Sequence, residues 1–149
     1  MAIIRLTKEF RFETSHALWN YDGLCKNMHG HSYILQVTIK GQPIDDSKNP
    51  KNGMVMDFGH LKDIVNQEIV APLDHSVILS KTAPHQDLKN IAQMFERFHV
   101  WEEQPTCENM VQNFAEKIIK RLPSDITLVK VKLHETATSF AEWWAEDNK

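Results

Sequence analysis

The sequence contains no long apolar run, no basic cluster and almost no cysteine, and each absence excludes a class of protein. No apolar stretch approaches the ~18 residues of a transmembrane helix, so we expect no membrane span. The stretch 1–10 becomes charged at once, which disfavours a secretory signal peptide. A net charge of −3 without a Lys/Arg run disfavours nucleic acid as a partner. Two cysteines do not make a disulfide framework, which predicts a reduced, cytoplasmic protein.

The composition is that of an ordinary globular protein, apart from its histidines. The chain has 149 residues, of which 42% are hydrophobic, and this suits a single domain over 1–149 with a normal core. No repeat, linker or low-complexity tract divides it. Eight histidines are many for this length, and their positions carry most of the functional information.

Apolar periodicity predicts paired strands at both ends of the chain and helices between them. Alternation of apolar and polar residues predicts strands, and apolar residues at helical spacing predict helices. The strands are expected at 3–17, 31–40, 126–135 and 138–145, with a short extended piece at 73–79, and the helices at 58–70, 87–97 and 106–122. The turn-rich segment 41–53 suggests a hairpin or a longer β connection. This order predicts an α+β fold in which helices back an antiparallel sheet.

The strongest chemical signal is the pair His29 and His31, separated by Gly30. Residues i and i+2 of a strand point to the same side, so two imidazoles can reach one metal ion. Gly30 removes side-chain bulk and permits an unusual backbone angle. His16 ends the first strand on its otherwise apolar face, and pairing of the two strands would bring it beside the pair. Three imidazoles without a carboxylate favour Zn²⁺ with an open fourth position.

Cys25 precedes this pair by four residues and has three interpretations. It is a small buried hydrophobe, a fourth zinc ligand that closes a structural site, or a reactive thiolate beside the metal. The sequence does not separate the last two.

Three further polar positions are candidates. Asp74 can orient the imidazole of His75 if the two lie in a turn. Glu108 lies in the first turn of the helix that Thr106 is expected to cap, where a carboxylate interacts well with the helix dipole. Glu135 extends the apolar side of a strand towards the core, where a carboxylate needs a partner such as a paired N–H donor on a ligand.

Other motifs and histidines give no competing function. The sequence lacks the His-Glu-x-x-His of metalloproteases and the glycine-rich loops of nucleotide-binding folds, and no glutamate follows the His-x-His pair as in cupins. Four histidines without a comparable setting are expected to be surface or structural residues: His60, His85, His99 and His134.

Taken together, the motifs resemble the family of 6-pyruvoyl-tetrahydropterin synthases and 6-carboxytetrahydropterin synthases, the latter from the queuosine pathway. The matching pieces occur in the family's order over nearly the whole chain: 12–16 (FETSH), 25–31 (CKNMHGH), 56–58 (MDF), 73–75 (LDH), 105–109 (PTCEN) and 135–136 (ET). The stretch 80–104 matches no motif of the family, and Cys107 receives no role.

The resemblance implies a tunnelling fold, in which four antiparallel strands carry helices on one face and subunits assemble into a barrel, usually a hexamer. It also implies roles for nine residues. His16, His29 and His31 would bind zinc, Cys25 would accept a proton, Asp74 and His75 of a neighbouring subunit would relay charge, and Glu135, Thr106 and Glu108 would contact the pterin.

The substrate implied by the resemblance is 7,8-dihydroneopterin triphosphate. The carboxy branch yields 6-carboxytetrahydropterin, acetaldehyde and triphosphate, whereas the pyruvoyl branch of tetrahydrobiopterin synthesis eliminates triphosphate and stops at a diketone. The short Cys-x3-His-Gly-His loop and the compact length favour the carboxy branch. A third hypothesis is a non-catalytic zinc- or pterin-binding module in which Cys25 closes the metal site.

Overall fold

The computed structural model describes residues 2–149, which form one mixed sheet with helices. Its strands are β1 (Ile4–His16), β2 (His29–Gly41), β3 (Ser76–Ser80), β4 (Phe98–Trp101), β5 (Thr127–His134) and β6 (Phe140–Trp144). Its helices are α1 (Phe58–Val65), which continues through a π-helical turn (Asn66–Val70) into α2 (Ala71–Leu73), then α3 (His85–Met94) and α4 (Cys107–Ile119). Short 3-10 turns occur at Leu24–Lys26 and Ala145–Asn148.

The sheet has the order β4-β3-β1-β2-β5-β6. The pairs β1–β2, β2–β5 and β5–β6 are antiparallel, whereas β3 pairs in parallel with both β1 and β4. The predicted α+β fold and its four-stranded antiparallel sheet are therefore confirmed, but the sheet contains six strands. The extended piece at 73–79 supplies β3, and β4 follows the helix that the sequence predicted at 87–97.

The core lies between one face of the sheet and helices α1 and α4. Along β1 from Phe10 to His16, side chains of one parity are buried and those of the other are mostly exposed, as alternation requires. Phe12 joins the two layers, because it stacks on Tyr33 of β2 and meets Phe114 of α4 edge to face. Thr106 caps α4 as the sequence predicts, and Asp57 caps α1, each accepting a backbone N–H.

Two local predictions are wrong. The segment 41–53 does not form a hairpin connection, because it leads from β2 into α1, and the hairpin of this region is β1–β2 itself. The sequence favours Pro72 as the residue that stops the helix expected at 58–70, but the π-helical turn shifts the hydrogen bonding and Pro72 enters a final helical turn. No helix in residues 2–149 combines the length and apolarity that a bilayer crossing requires.

Candidate active site

Hairpin register places three histidines together on the buried face of the sheet. In the antiparallel β1–β2 pair, His16 lies opposite His29, and Thr14 lies opposite His31. Residues directly opposite share a face, and His29 and His31 share it by alternation. Gly30 adopts ordinary strand backbone, and a Cβ at this position would make only normal contacts. The expectation that Gly30 supplies an unusual backbone angle is therefore wrong.

The three imidazoles form a compact group. The Nε2 atoms of His16 and His29 are 3.0 Å apart, and the ligand atoms of all three residues lie within 4.8 Å of one another. The ring centroids are separated by 4.6 to 5.2 Å. His16 is only 2% exposed, whereas His29 and His31 are partly buried and face the opening. Such a group can hold a metal ion.

Two backbone carbonyls fix the tautomers of this group. The Nδ1 atom of His16 lies 2.7 Å from the carbonyl oxygen of Pro105, and that of His29 lies 2.7 Å from the carbonyl oxygen of Asn27. A carbonyl only accepts, so each Nδ1 carries the proton and each Nε2 presents a lone pair. Two lone pairs then face each other at 3.0 Å. A cation between them removes this conflict, so the donor set fits a metal.

Burial disfavours the charged form at two of these histidines. It is the main cause that lowers the pKa of His16 to about 4; the neighbouring His29 and His31 act in the same direction, and the bond to Pro105 opposes them. Burial also lowers the pKa of His31, whose Nε2 has no hydrogen-bond partner among the described residues. Neutral imidazole is the form that binds metal.

Glu135 brings a carboxylate to the same place. It follows the last residue of β5, and its backbone N–H bonds to the carbonyl of Ser139 across the turn into β6. Its Oε1 lies 3.3 Å from Nε2 of His31 and 3.5 Å from Nε2 of His16. The Glu135 side chain remains 27% exposed, so its carboxylate lies beside the histidines and is still accessible from solvent. An accepting group in this position can bind a ligand N–H pair.

Cys25 lies in the exposed 3-10 turn Leu24–Lys26 of the β1–β2 loop. Its carbonyl accepts the N–H of Leu18, and Gln104 bonds to both backbone groups of Trp19, which ties the loop to the segment before α4. Cys25 is not a member of the three-histidine group. This placement favours an accessible thiol over a closed four-ligand metal site.

Asp74 and His75 form a turn at the end of α2. Oδ1 of Asp74 lies 3.1 Å from Nδ1 of His75 and accepts the backbone N–H of Glu13 at 2.9 Å. His75 adopts a positive φ of 57°, and its own N–H donates to the Glu13 carbonyl at 2.6 Å. The bond from Glu13 holds the pKa of Asp74 below its usual range, aided by His75. His75 is exposed and lines a surface cavity together with Glu13 and His31.

Thr106 and Glu108 lie at the start of α4. The Oγ1 of Thr106 accepts the N–H of Asn109 at 3.3 Å, and Glu108 is exposed in the first helical turn. Cys107 between them is buried, donates to the Leu133 carbonyl and has its pKa raised to about 11 by burial. Cys107 is therefore an inert packing residue.

Among residues 2–149, the chain joins only part of the predicted site by direct contact. His16, His29, His31 and Glu135 meet, whereas no side-chain hydrogen bond or ion pair connects Cys25, Asp74, His75, Thr106 or Glu108 to them. Sequence reasoning missed the carbonyls of Pro105 and Asn27. No residue-type signal could have identified them, because every residue carries a carbonyl.

Sequence comparison relates this chain to tetrahydropterin synthases. The description of the 6-pyruvoyl tetrahydropterin synthase family matches residues 5–146. The chain is 34% identical over 143 residues to a 6-carboxy-5,6,7,8-tetrahydropterin synthase from Haemophilus influenzae, covering 95% of this chain and 99% of the relative. It is 33% identical to a putative 6-carboxy-5,6,7,8-tetrahydropterin synthase from Pyrococcus horikoshii, covering 91% and 85% of the two chains.

Solved structures share the fold. The Caenorhabditis elegans 6-pyruvoyl tetrahydropterin synthase superposes with a TM-score of 0.69 at 24% identity, covering 97% of each chain. An uncharacterized protein from Wolinella succinogenes superposes with a TM-score of 0.76 at 22% identity, covering 97% of this chain and 99% of the other. The fold expected from the resemblance is thereby confirmed. By its sequence match over nearly its full length, this chain belongs to the 6-pyruvoyl tetrahydropterin synthase family.

Proposed function

We propose that this protein is a zinc-dependent 6-carboxy-5,6,7,8-tetrahydropterin synthase of queuosine biosynthesis, acting in the cytoplasm. It converts 7,8-dihydroneopterin triphosphate and water to 6-carboxytetrahydropterin, acetaldehyde and triphosphate. The observation that carries the proposal is the group of three imidazoles whose ligand atoms lie within 4.8 Å of one another, with the Nε2 lone pairs of His16 and His29 converging, in a chain 34% identical to a relative of that name.

His16, His29 and His31 are the residues that would hold Zn²⁺. When bound, the ion supplies a Lewis acid that makes C–H bonds next to the substrate hydroxyls more acidic. The fixed tautomers of His16 and His29 support this assignment, because their Nε2 lone pairs need no rearrangement before binding.

Glu135, Thr106 and Glu108 bind the pterin in this proposal. The Glu135 carboxylate accepts the paired N–H groups of the ring and so holds the reacting side chain beside the histidines, which is a proximity effect. Thr106 still has its hydroxyl proton to donate, because its oxygen is the acceptor in the helix cap. Glu108 lies two residues further along the same helical turn.

Cys25 and the Asp74–His75 pair transfer protons. The exposed thiol of Cys25 takes a proton from the substrate side chain as its thiolate. His75, oriented by Asp74 at 3.1 Å, supplies and removes protons as its imidazole changes charge. The exposed position of His75 is consistent with a role at the site of a neighbouring copy in a homo-oligomer, for which we propose a hexamer.

The decisive experiment incubates the zinc-loaded protein with 7,8-dihydroneopterin triphosphate and identifies the products by mass. Carboxytetrahydropterin with acetaldehyde supports the proposal. Pyruvoyl-tetrahydropterin as the only product would assign the protein to the other branch, and no turnover by a folded, zinc-replete oligomer would leave a binding module. His29→Ala, which removes one of the residues that would hold Zn²⁺, should abolish this turnover. His85→Ala is its matched control, because His85 is exposed at the start of α3.

A further inference from the structure

The segment between β3 and α4 extends the sheet and returns to the turn that carries Asp74 and His75. Strand β4 pairs in parallel with β3, and the backbone N–H of Val77 donates to the carbonyl of Arg97 at 2.9 Å. Arg97 is thereby fixed at the start of β4, three residues beyond the end of α3. Nothing in the proposed chemistry above uses residues 81–101 of this segment.

Arg97 reaches back to the end of the preceding helix. Its Nε donates to the carbonyl of Asp74 at 2.9 Å, and its Nη2 donates to the carbonyl of Ala71. His99, two residues after Arg97, reaches the same helix end, because its Nε2 lies 2.8 Å from the carbonyl oxygen of Pro72. The last carbonyls of a helix have no partner within it, and cationic side chains near a C-terminus commonly satisfy them.

The turn that Arg97 holds has an uncommon backbone. His75 is one of two non-glycine residues with positive φ among residues 2–149, and a bulky residue keeps this conformation only where its surroundings fix it. The bonds to Glu13 hold the turn from the side of β1. Arg97 holds it from the side of β4, so the turn is clamped between two strands.

We propose that Arg97 is a positioning residue, which fixes the turn at Asp74 so that His75 is presented in one orientation for proton transfer. This inference rests on the proposed function, because it deepens the role given there to the Asp74–His75 pair. It also assigns a role to the stretch 80–104, because the path through α3 and β4 brings the guanidinium of Arg97 to the end of α2. Arg97 itself touches no reacting atom.

Electrostatics agree with this role. The bond from the Glu13 N–H is the main cause of the lowered pKa of Asp74, and the charges of His75 and Arg97 act in the same direction. Asp74 is therefore ionised beside His75 at neutral pH, as an orienting carboxylate requires.

The test compares Arg97→Met, which keeps the apolar stem and removes every donor, with Arg97→Lys, which restores one cationic donor. Arg11→Ala is the matched control, since Arg11 is an exposed arginine whose side chain bonds only to exposed Glu9. For Arg97→Met we expect kcat to fall by about 10-fold to 100-fold with KM within about twofold, and Arg97→Lys to recover part of the loss. Metal content should stay unchanged.

Two readouts do not depend on turnover. In Arg97→Met, the imidazole resonances of His75 should shift or broaden, and the His75 amide should exchange at least about 10-fold faster. Unchanged His75 resonances and exchange in Arg97→Met would overturn the inference, and Arg97→Ala, which also lacks every donor, takes its place if Arg97→Met does not fold. If the wild-type protein shows no turnover but Arg97→Met still alters the resonances and exchange of His75, the proposed function is overturned, whereas the role of Arg97 in fixing the turn is supported.

Discussion

The histidine end of the β1–β2 hairpin and the turn at residues 74–75 are held by different means. The first is buried, and strand register, alternation and two carbonyls together define where its lone pairs point. The second is exposed and is held by a few hydrogen bonds, because the backbone N–H of Glu13 donates to the Asp74 carboxylate and the Arg97 side chain donates to the Asp74 carbonyl. A metal centre needs ligands fixed in advance, whereas groups that exchange protons must reach substrate and solvent. In the proposed function, the two regions therefore divide metal binding from proton transfer.

The largest effect is expected from removing a metal ligand. His29→Ala should weaken zinc affinity by more than about 100-fold, because the remaining two imidazoles cannot complete the donor set. Metal analysis after gel filtration and a competitive chelator titration measure this. His85→Ala should retain the full metal content. Stoichiometric zinc in His29→Ala would place the metal elsewhere, and the buried histidine group would then no longer be the metal site of the comparison.

The next effect is expected at Cys25. Cys25→Ala should keep zinc and lower kcat by about 10²-fold to 10⁴-fold, because the substitution removes a proton acceptor but leaves all three histidines in place. Iodoacetamide should label Cys25 and spare buried Cys107, whose pKa is raised to about 11. Loss of zinc in Cys25→Ala would instead support the closed four-ligand site.

A smaller loss of rate is expected at the exposed turn. Asparagine tolerates the positive φ of His75, so His75→Asn should keep the backbone and remove only the titrating ring. We expect kcat to fall by about 10²-fold, with zinc content and thermal stability close to those of the wild type. A drop in stability comparable to that of a core substitution would show that the turn has a structural role instead.

The smallest effect is a change in acid stability. The pKa of Asp74 is lowered in the folded protein, so its contribution to stability is present above the unfolded value of about 3.9. The contribution disappears as pH falls through the lower folded value. Asp74→Asn should therefore lower stability at neutral pH and flatten the fall of the melting temperature below pH 4. If the melting temperature of Asp74→Asn falls below pH 4 as steeply as that of the wild type, this carboxylate does not hold the turn.

Sequence patterns predicted the buried region better than the exposed one. The parity of His16 and the spacing of His29 and His31 place all three on one face once the strands pair, and no contact from elsewhere is needed for that inference. The antiparallel strands and the capped helices have equally local signals, which is why their ends were predicted to within a few residues.

The extended piece at 73–79 was expected, but its parallel pairing, strand β4 and the bonds from Arg97 had no such signal. Strands β3 and β4 have five and four residues, too short for periodicity to distinguish them, and their pairing joins distant parts of the chain. The bonds from Arg97 end on carbonyls, which carry no residue identity. Pro72 was misjudged because a π-helical turn, which depends on tertiary packing, admits it to the helix.

The β1–β2 register separates what can vary in this chain from what cannot. One residue inserted within either strand would turn the histidines onto the opposite face of the sheet. The loop over 17–26 lies outside the register, so it can lengthen, shorten or exchange its thiol while His16, His29 and His31 keep their positions. In the proposed function, a lineage built on this hairpin can thus change its acid–base group, altering which bond of a substrate breaks while the three histidines are inherited intact.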